Sequence, residues 1–261
     1  MISTNTMEYR INGIIKFYPI TRLKLEKTVN FCSLSGARIT LNSADDGDLA
    51  MEITLEAERE TDAKEMAAVE LNRICCLLSY FCDIPILGSQ ITRMVSTVIT
   101  SEGKHDKVEK HWFVADTVRS VVKDLEQESI EELVSCLERK YHQDFEDDIV
   151  YMWRDAISQE SEALKYLLLH RLLERLFEND RKTLRKRITK WIRCKEPAVQ
   201  RFRSPPDAKY KVTVYTYLRD HIHPKKQKTL PMQDIKIHLP RLKNLVKQAI
   251  EEKYGLISPP L

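Results

Sequence analysis

The chain has 261 residues, of which 43% are hydrophobic and 31% charged, enough for one large domain or two smaller ones. It contains only 6 glycines and no GxGxxG or Walker-type loop, which argues against a glycine-rich nucleotide-binding enzyme. The formal net charge of +3 excludes no class of partner, so the distribution of charge along the chain is more informative.

The N-terminal part of the chain reads as strands followed by one helix. Within 1–57, four segments have alternating or β-branched residues and are separated by turn residues. A helical pattern follows over 61–82, with Thr61 or Asp62 placed to cap its N-terminus. We therefore predict a β-rich unit with a packed helix over 1–115. Its predicted strands are 10–20, 22–30, 36–42, 49–56, 91–100 and 108–115.

The rest of the chain, 116–261, is helical in pattern almost throughout, which predicts an all-α bundle and an α+β fold class for the whole. The strongest segment is 158–177, where leucines repeat every four residues and apolar side chains surround much of the helix. A helix of this kind is expected at the centre, with Leu168 and Leu172 almost fully buried. The other predicted helices are 116–125, 129–141, 147–157, 181–193, 209–222 and 234–254.

The cysteines and the apolar segments bear on compartment and metals. The six cysteines show no paired zinc-ligand spacing, and Cys75, Cys76 and Cys82 fall in an apolar helical pattern. The first nine residues are polar, and no apolar stretch approaches the length of a membrane span. We predict a cytoplasmic protein with reduced thiols, no metal, no cofactor and no membrane partner.

Charge is segregated along the helical half. Residues 124–162 carry 13 acidic and 3 basic side chains, whereas 180–228 carry 16 basic and 4 acidic ones. Basic residues interleaved with aromatics suit RNA, through phosphate contacts and base stacking. The alternative is that the two segments neutralise each other or are solvated faces. The candidate RNA-binding residues are Arg185, Lys186, Arg187, Lys190, Lys225 and Lys226.

The predicted helix 209–222 carries an apolar stripe that recurs every four residues: Val214, Leu218 and Ile222. Arg219 and His223 lie four residues apart at the end of this helix. Residues with this spacing share a helix face, and Pro224 ends the helix beside His223. Arginine can hold a phosphate through two parallel hydrogen bonds, and histidine can transfer a proton near neutral pH. The pair therefore suits phosphate chemistry. The alternative is an ordinary ion pair between Arg219 and a neighbouring acid, with His223 capping the last carbonyl groups.

The sequence YLRDHIHP, preceded by the leucine-rich EALKYLLLHRLLERLF and a basic helix, resembles the HEPN superfamily of helical RNA-cleaving and RNA-binding domains. The β-then-helical order is similar to its Apea-like and MauJ-like members, and the resemblance covers mainly 145–254. The family signature is an arginine, usually followed by Asn, Asp or His, and then a histidine near a helix end. Three residues separate Arg219 from His223, one fewer than the usual family minimum.

The resemblance implies an RNA-binding protein of prokaryotic stress or phage defence, and it leaves open a metal-independent endoribonuclease activity. In that chemistry His223 is the general acid or base, Arg219 holds the scissile phosphate, and Asp220 orients one of the two. Family sites form across a dimer, so a homodimer is also implied. A non-catalytic accessory or interaction protein on the same fold is the alternative. His170, in the central helix, is expected to be a core histidine.

Overall fold

A computed structural model of the chain divides it into two compact units, Met1–Arg154 and Asp155–Leu261, called unit 1 and unit 2. The fold is α+β, as predicted, with an antiparallel sheet in the N-terminal part. The predicted boundary between residues 115 and 116 and the predicted helices 116–125 and 129–141 lie outside the described residues. The structure describes residues 7–17, 28–33, 35–43, 49–83, 85–99, 105–111, 147–178, 183–204, 209–222 and 232–254.

Unit 1 is built on a six-stranded antiparallel sheet in the order β2-β3-β4-β1-β5-β6. The alternation predicted around residues 49–56 is confirmed, because every second residue of β4 is buried. The fifth strand begins at Ile86 rather than at residue 91. The strands are β1 Met7–Phe17, β2 Val29–Cys32, β3 Arg38–Ser43, β4 Leu49–Ala57, β5 Ile86–Ile99 and β6 His105–His111.

Helix α1 (Glu60–Cys82) packs on this sheet through a wide apolar face. The predicted cap at Thr61 or Asp62 is wrong, since the helix begins at Glu60 and its first turn has no side-chain cap. The Asp62 carboxylate instead accepts a hydrogen bond from Arg59 Nε at 2.9 Å. Cys75 is fully buried, and burial raises the pKa of its thiol to about 11, so this cysteine behaves as a small apolar residue.

Helix α2 (Asp147–Ile157) has the predicted bounds, and its Trp153 is buried in unit 1. Trp153 Nε1 donates to the Ser79 carbonyl oxygen at 3.3 Å, and its ring meets Tyr80 edge-on with centroids 5.4 Å apart. A buried tryptophan with its N–H satisfied stabilises the end of α1.

Unit 2 contains four helices and a short β-hairpin among the residues that the structure describes. The hairpin corrects the prediction of an all-α bundle, and it takes residues 211–213 out of the predicted helix 209–222. In Lys211–Thr213 the first side chain is exposed and the next two are buried, and Val212 and Thr213 are β-branched residues, which suit a strand. The elements are α3 Glu162–Leu176, α4 Leu184–Lys195, β7 Arg201–Arg203, β8 Lys211–Thr213, α5 Val214–Ile222 and α6 Met232–Tyr254.

Helix α3 packs mainly on α6 and buries a narrower face than its leucine content suggests. Leu172 is fully buried, as predicted, but the prediction for Leu168 is wrong because its side chain is only half-buried. Leu164, in the same four-residue repeat, is 41% exposed. The buried residues of α3 are Tyr166, Leu169, His170, Leu172 and Leu173. Within the described residues, no helix combines the length and apolar character required to cross a membrane.

Candidate functional site

Helix α5 carries the predicted apolar stripe, since Val214, Leu218 and Ile222 are all buried in unit 2. The stripe fixes the rotation of the helix and places Arg219 beside α3, with 24% of its side chain exposed. His223 lies outside the described residues, as do Lys225 and Lys226.

The Arg219 guanidinium is paired with two carboxylates. One of its terminal nitrogens, Nη2, forms an ion pair with Glu174 Oε1 from α3. The other, Nη1, donates to Asp220 Oδ1 at 3.0 Å. The Nε atom is buried and has no hydrogen-bond partner in the described part of the chain. These contacts match the alternative in which Arg219 pairs with neighbouring acids.

Asp220 is 7% exposed and links three segments of unit 2. Its Oδ1 also accepts a hydrogen bond from Arg185 Nη2 of α4 at 2.9 Å. Its Oδ2 accepts from Ser204 Oγ, directly after β7, at 2.5 Å. The Asp220 carboxylate therefore holds α4, α5 and the end of β7 together. We call Glu174, Arg185, Ser204, Arg219 and Asp220 the ion-pair cluster.

Arg185, predicted to contact RNA, points its guanidinium into the ion-pair cluster, although 33% of its side chain is exposed. Its Nη1 donates to the Ser204 carbonyl oxygen at 3.4 Å. Lys186 and Lys190 are exposed on α4, and Arg187 is half-buried. On α4, Arg185 therefore makes structural contacts, whereas Lys186 and Lys190 are exposed to solvent.

His170 is fully buried beside the ion-pair cluster, as expected of a core histidine. Burial lowers its pKa to about 3, and the positive charge of Arg219 acts in the same direction while Asp220 opposes it. The ring is therefore neutral near pH 7. Its Nε2 lies 3.3 Å from Thr216 Oγ1. Its Nδ1 lies 3.4 Å from Glu174 Oε1, in a contact without hydrogen-bond geometry.

The order Thr216 hydroxyl, His170 imidazole and Glu174 carboxylate is that of a nucleophile, base and orienting acid. Nucleophilic catalysis also requires that a substrate reach the hydroxyl. Thr216 is 1% exposed and His170 is completely buried, so the hydroxyl is closed to substrate. We interpret this chain of polar groups as a structural link between α3 and α5.

A second feature of unit 2 is a group of exposed basic side chains. They lie on α4 and on the β7–β8 hairpin, and α4 packs beside this hairpin through β8. In the described part of the chain, none of these side chains forms an ion pair, whereas Lys195 at the end of α4 pairs with Glu252. Residues 124–146 of the acidic segment lie outside the described residues. We call the group the cationic surface; it comprises Lys186, Lys190, Arg193, Arg201, Arg203, Lys209 and Lys211.

The partners Glu174 of Arg219 and Ser204 of Asp220 are not among the residues predicted from the sequence. The four-residue spacing of His170 and Glu174 is a readable signal that both share one face of α3. Ser204 offers no comparable signal, because it follows a short strand that lies between the predicted helices 181–193 and 209–222. Across the described residues, no three His, Cys, Asp or Glu side chains are arranged to hold a metal ion.

Comparisons of the chain with protein-family models, with curated proteins and with solved structures found no match.

Proposed function

We propose that this chain is a HEPN-type RNA-binding protein and that it binds RNA on the cationic surface of unit 2. The observation that carries the proposal is the exposure of these basic side chains without acidic partners among the described residues. RNA phosphates supply the missing negative charge, and the counterions that they release favour binding. The HEPN part of the proposal is supported by the YLRDHIHP sequence, which also motivates a homodimer acting in stress or phage defence.

A second candidate is a non-catalytic accessory or interaction protein on the same fold, and the contacts of Arg219 favour it. Glu174 and Asp220 already neutralise the guanidinium, so a phosphate must displace one of them before Arg219 can hold it. Phosphate binding at Arg219 therefore has to offset the free energy of displacing a carboxylate from a half-buried arginine. Phosphate binding at an unpaired arginine has no such cost. RNA binding on the cationic surface is independent of this cost.

Charge reversal on α4 tests the RNA-binding proposal. Lys190→Glu should weaken RNA binding about tenfold at low salt and reduce the salt slope of the affinity by about 1, because one phosphate contact is lost. Fluorescence anisotropy with a labelled RNA at several salt concentrations measures both quantities. Arg171→Glu is the matched control, since Arg171 is exposed on α3 in the same unit and carries the same charge. It should leave binding unchanged.

Two outcomes decide between the candidates. If the wild-type chain binds no RNA even at low salt, the RNA-binding proposal is wrong and the accessory protein is the better account. If it cuts RNA in EDTA and leaves 2′,3′-cyclic ends, the endoribonuclease activity implied by the resemblance is present. His223→Ala should then abolish cutting and retain binding, because the imidazole transfers protons and contributes little affinity. Light scattering at micromolar concentration tests the proposed homodimer.

A further inference from the structure

Two like charges lie directly opposite each other on the β7–β8 hairpin, where Arg203 pairs in register with Lys211. Both side chains are exposed, and neither forms an ion pair within the described residues. Like charges at directly opposed positions destabilise a pair of strands. This hairpin has three residues in each strand, so it has few other contacts to offset the repulsion. An anion bound between the two side chains removes the repulsion.

The two cations differ in a way that suits a phosphate group. The Arg203 guanidinium presents a planar fork that can donate two parallel hydrogen bonds, and the Lys211 ammonium adds a compact charge. Ser204, next to Arg203, is buried and donates to Asp220 Oδ2, so the end of β7 is held in place. The pair is therefore presented on a backbone that the ion-pair cluster fixes.

Tyr210 directly precedes Lys211 in the chain. Among the described residues of the basic segment 180–228, it is the most exposed aromatic side chain. It is 36% exposed, and Lys186 Nζ lies 5.5 Å from the centre of its ring. A cation near an aromatic ring and an exposed ring surface are the features of a base-stacking platform in single-strand binding proteins. The other aromatic side chains of the described part of the segment are buried or engaged with protein groups: Trp191, Phe202, Tyr215 and Tyr217.

We propose that Arg203 and Lys211 hold one RNA phosphate while an unpaired base stacks on Tyr210, so that the surface selects single-stranded over duplex RNA. This inference rests on the RNA-binding function proposed above. Tyr210 is adjacent to Lys211 in the chain, with Cα atoms about 3.8 Å apart. A duplex can supply the phosphate, but its bases are already stacked and paired and cannot cover the ring.

Lys211→Glu separates binding from structure, because the two expected effects have opposite signs. Affinity for single-stranded and duplex RNA should both fall at least about tenfold, since a phosphate contact becomes a repulsion. The thermal midpoint should stay the same or rise, because the new carboxylate faces Arg203 across the hairpin. Arg171→Glu, with the same change in charge, should alter neither quantity. A lower thermal midpoint together with weaker binding means that Lys211 is structural, and the phosphate site is then wrong.

Tyr210→Ala tests the stacked base with a labelled oligouridine and an RNA duplex of equal length. Affinity for the oligouridine should fall about five- to a hundredfold, and affinity for the duplex should change less than about twofold. Tyr210→Phe keeps the ring and should retain wild-type affinity for both. Equal losses for the two RNAs, or no loss for either, overturn the inference and leave RNA binding intact. Binding of anionic vesicles without any binding of RNA overturns both the inference and the proposed function.

Discussion

Replacing Asp220 with alanine should lower the free energy of unfolding by about 4 kcal/mol, because it removes a buried carboxylate that two half-buried arginines share. The Asp220 carboxylate accepts hydrogen bonds from Arg185 and Arg219 and from the Ser204 hydroxyl. Without it, Arg185 and Ser204 lose their shared acceptor, while Arg219 keeps only Glu174. Urea unfolding of the full chain, followed by circular dichroism, measures the change.

Two further variants show whether the loss comes from the buried carboxylate. Asp220→Asn keeps the size of the side chain and one acceptor oxygen, so it should cost less than the alanine variant. Glu160→Ala removes an exposed acid just before α3 and should change the free energy of unfolding by less than about 0.5 kcal/mol. If Asp220→Ala unfolds at the same urea concentration as the wild type, the ion-pair cluster contributes no net stability, and a functional role for Asp220 becomes the better explanation.

The features that the sequence predicted correctly depend on local periodicity. Alternation of apolar residues placed β4, and the four-residue repeat of Val214, Leu218 and Ile222 placed the buried face of α5. The predicted bounds of α2 are confirmed, and the acidic residues Asp147 and Asp148 at its start are favoured at a helix N-terminus. In each case the residues that decide the structure are near neighbours in the chain.

The features that the sequence analysis missed depend on contacts between distant residues. Helix α3 is apolar around much of its surface, so the sequence could not show that packing on α6 leaves Leu168 only half-buried. Arg185 looked like one more basic residue of a charged helix, yet its partner Asp220 lies 35 positions further along the chain. The β7–β8 hairpin consists of two three-residue strands, too short for a strand pattern to stand out.

The buried His170 should make the protein lose stability as the pH falls from about 6.5 towards 3. In the unfolded chain the imidazole takes up a proton near its ordinary pKa of 6.5, whereas burial lowers the pKa in the folded state to about 3. Between these values the unfolded state binds one more proton, so lowering the pH favours unfolding. The stabilisation is fully present above pH 6.5, and the whole interval corresponds to roughly 5 kcal/mol.

A comparison of the wild type with His170→Gln isolates this effect, because glutamine is polar but does not titrate. The variant should be less stable at pH 7, since its side chain cannot reproduce the fit of the ring beside Thr216 and Glu174. Burial also lowers the pKa of His238. This histidine and the carboxylates elsewhere are present in both proteins, so they change the two curves of unfolding free energy against pH in the same way. The wild type should therefore lose its stability advantage over His170→Gln by about 1.4 kcal/mol in the free energy of unfolding for each pH unit below 6.5. Two curves that fall in parallel from pH 7 to pH 4 contradict the prediction and mean that the folded protein protonates His170 without cost.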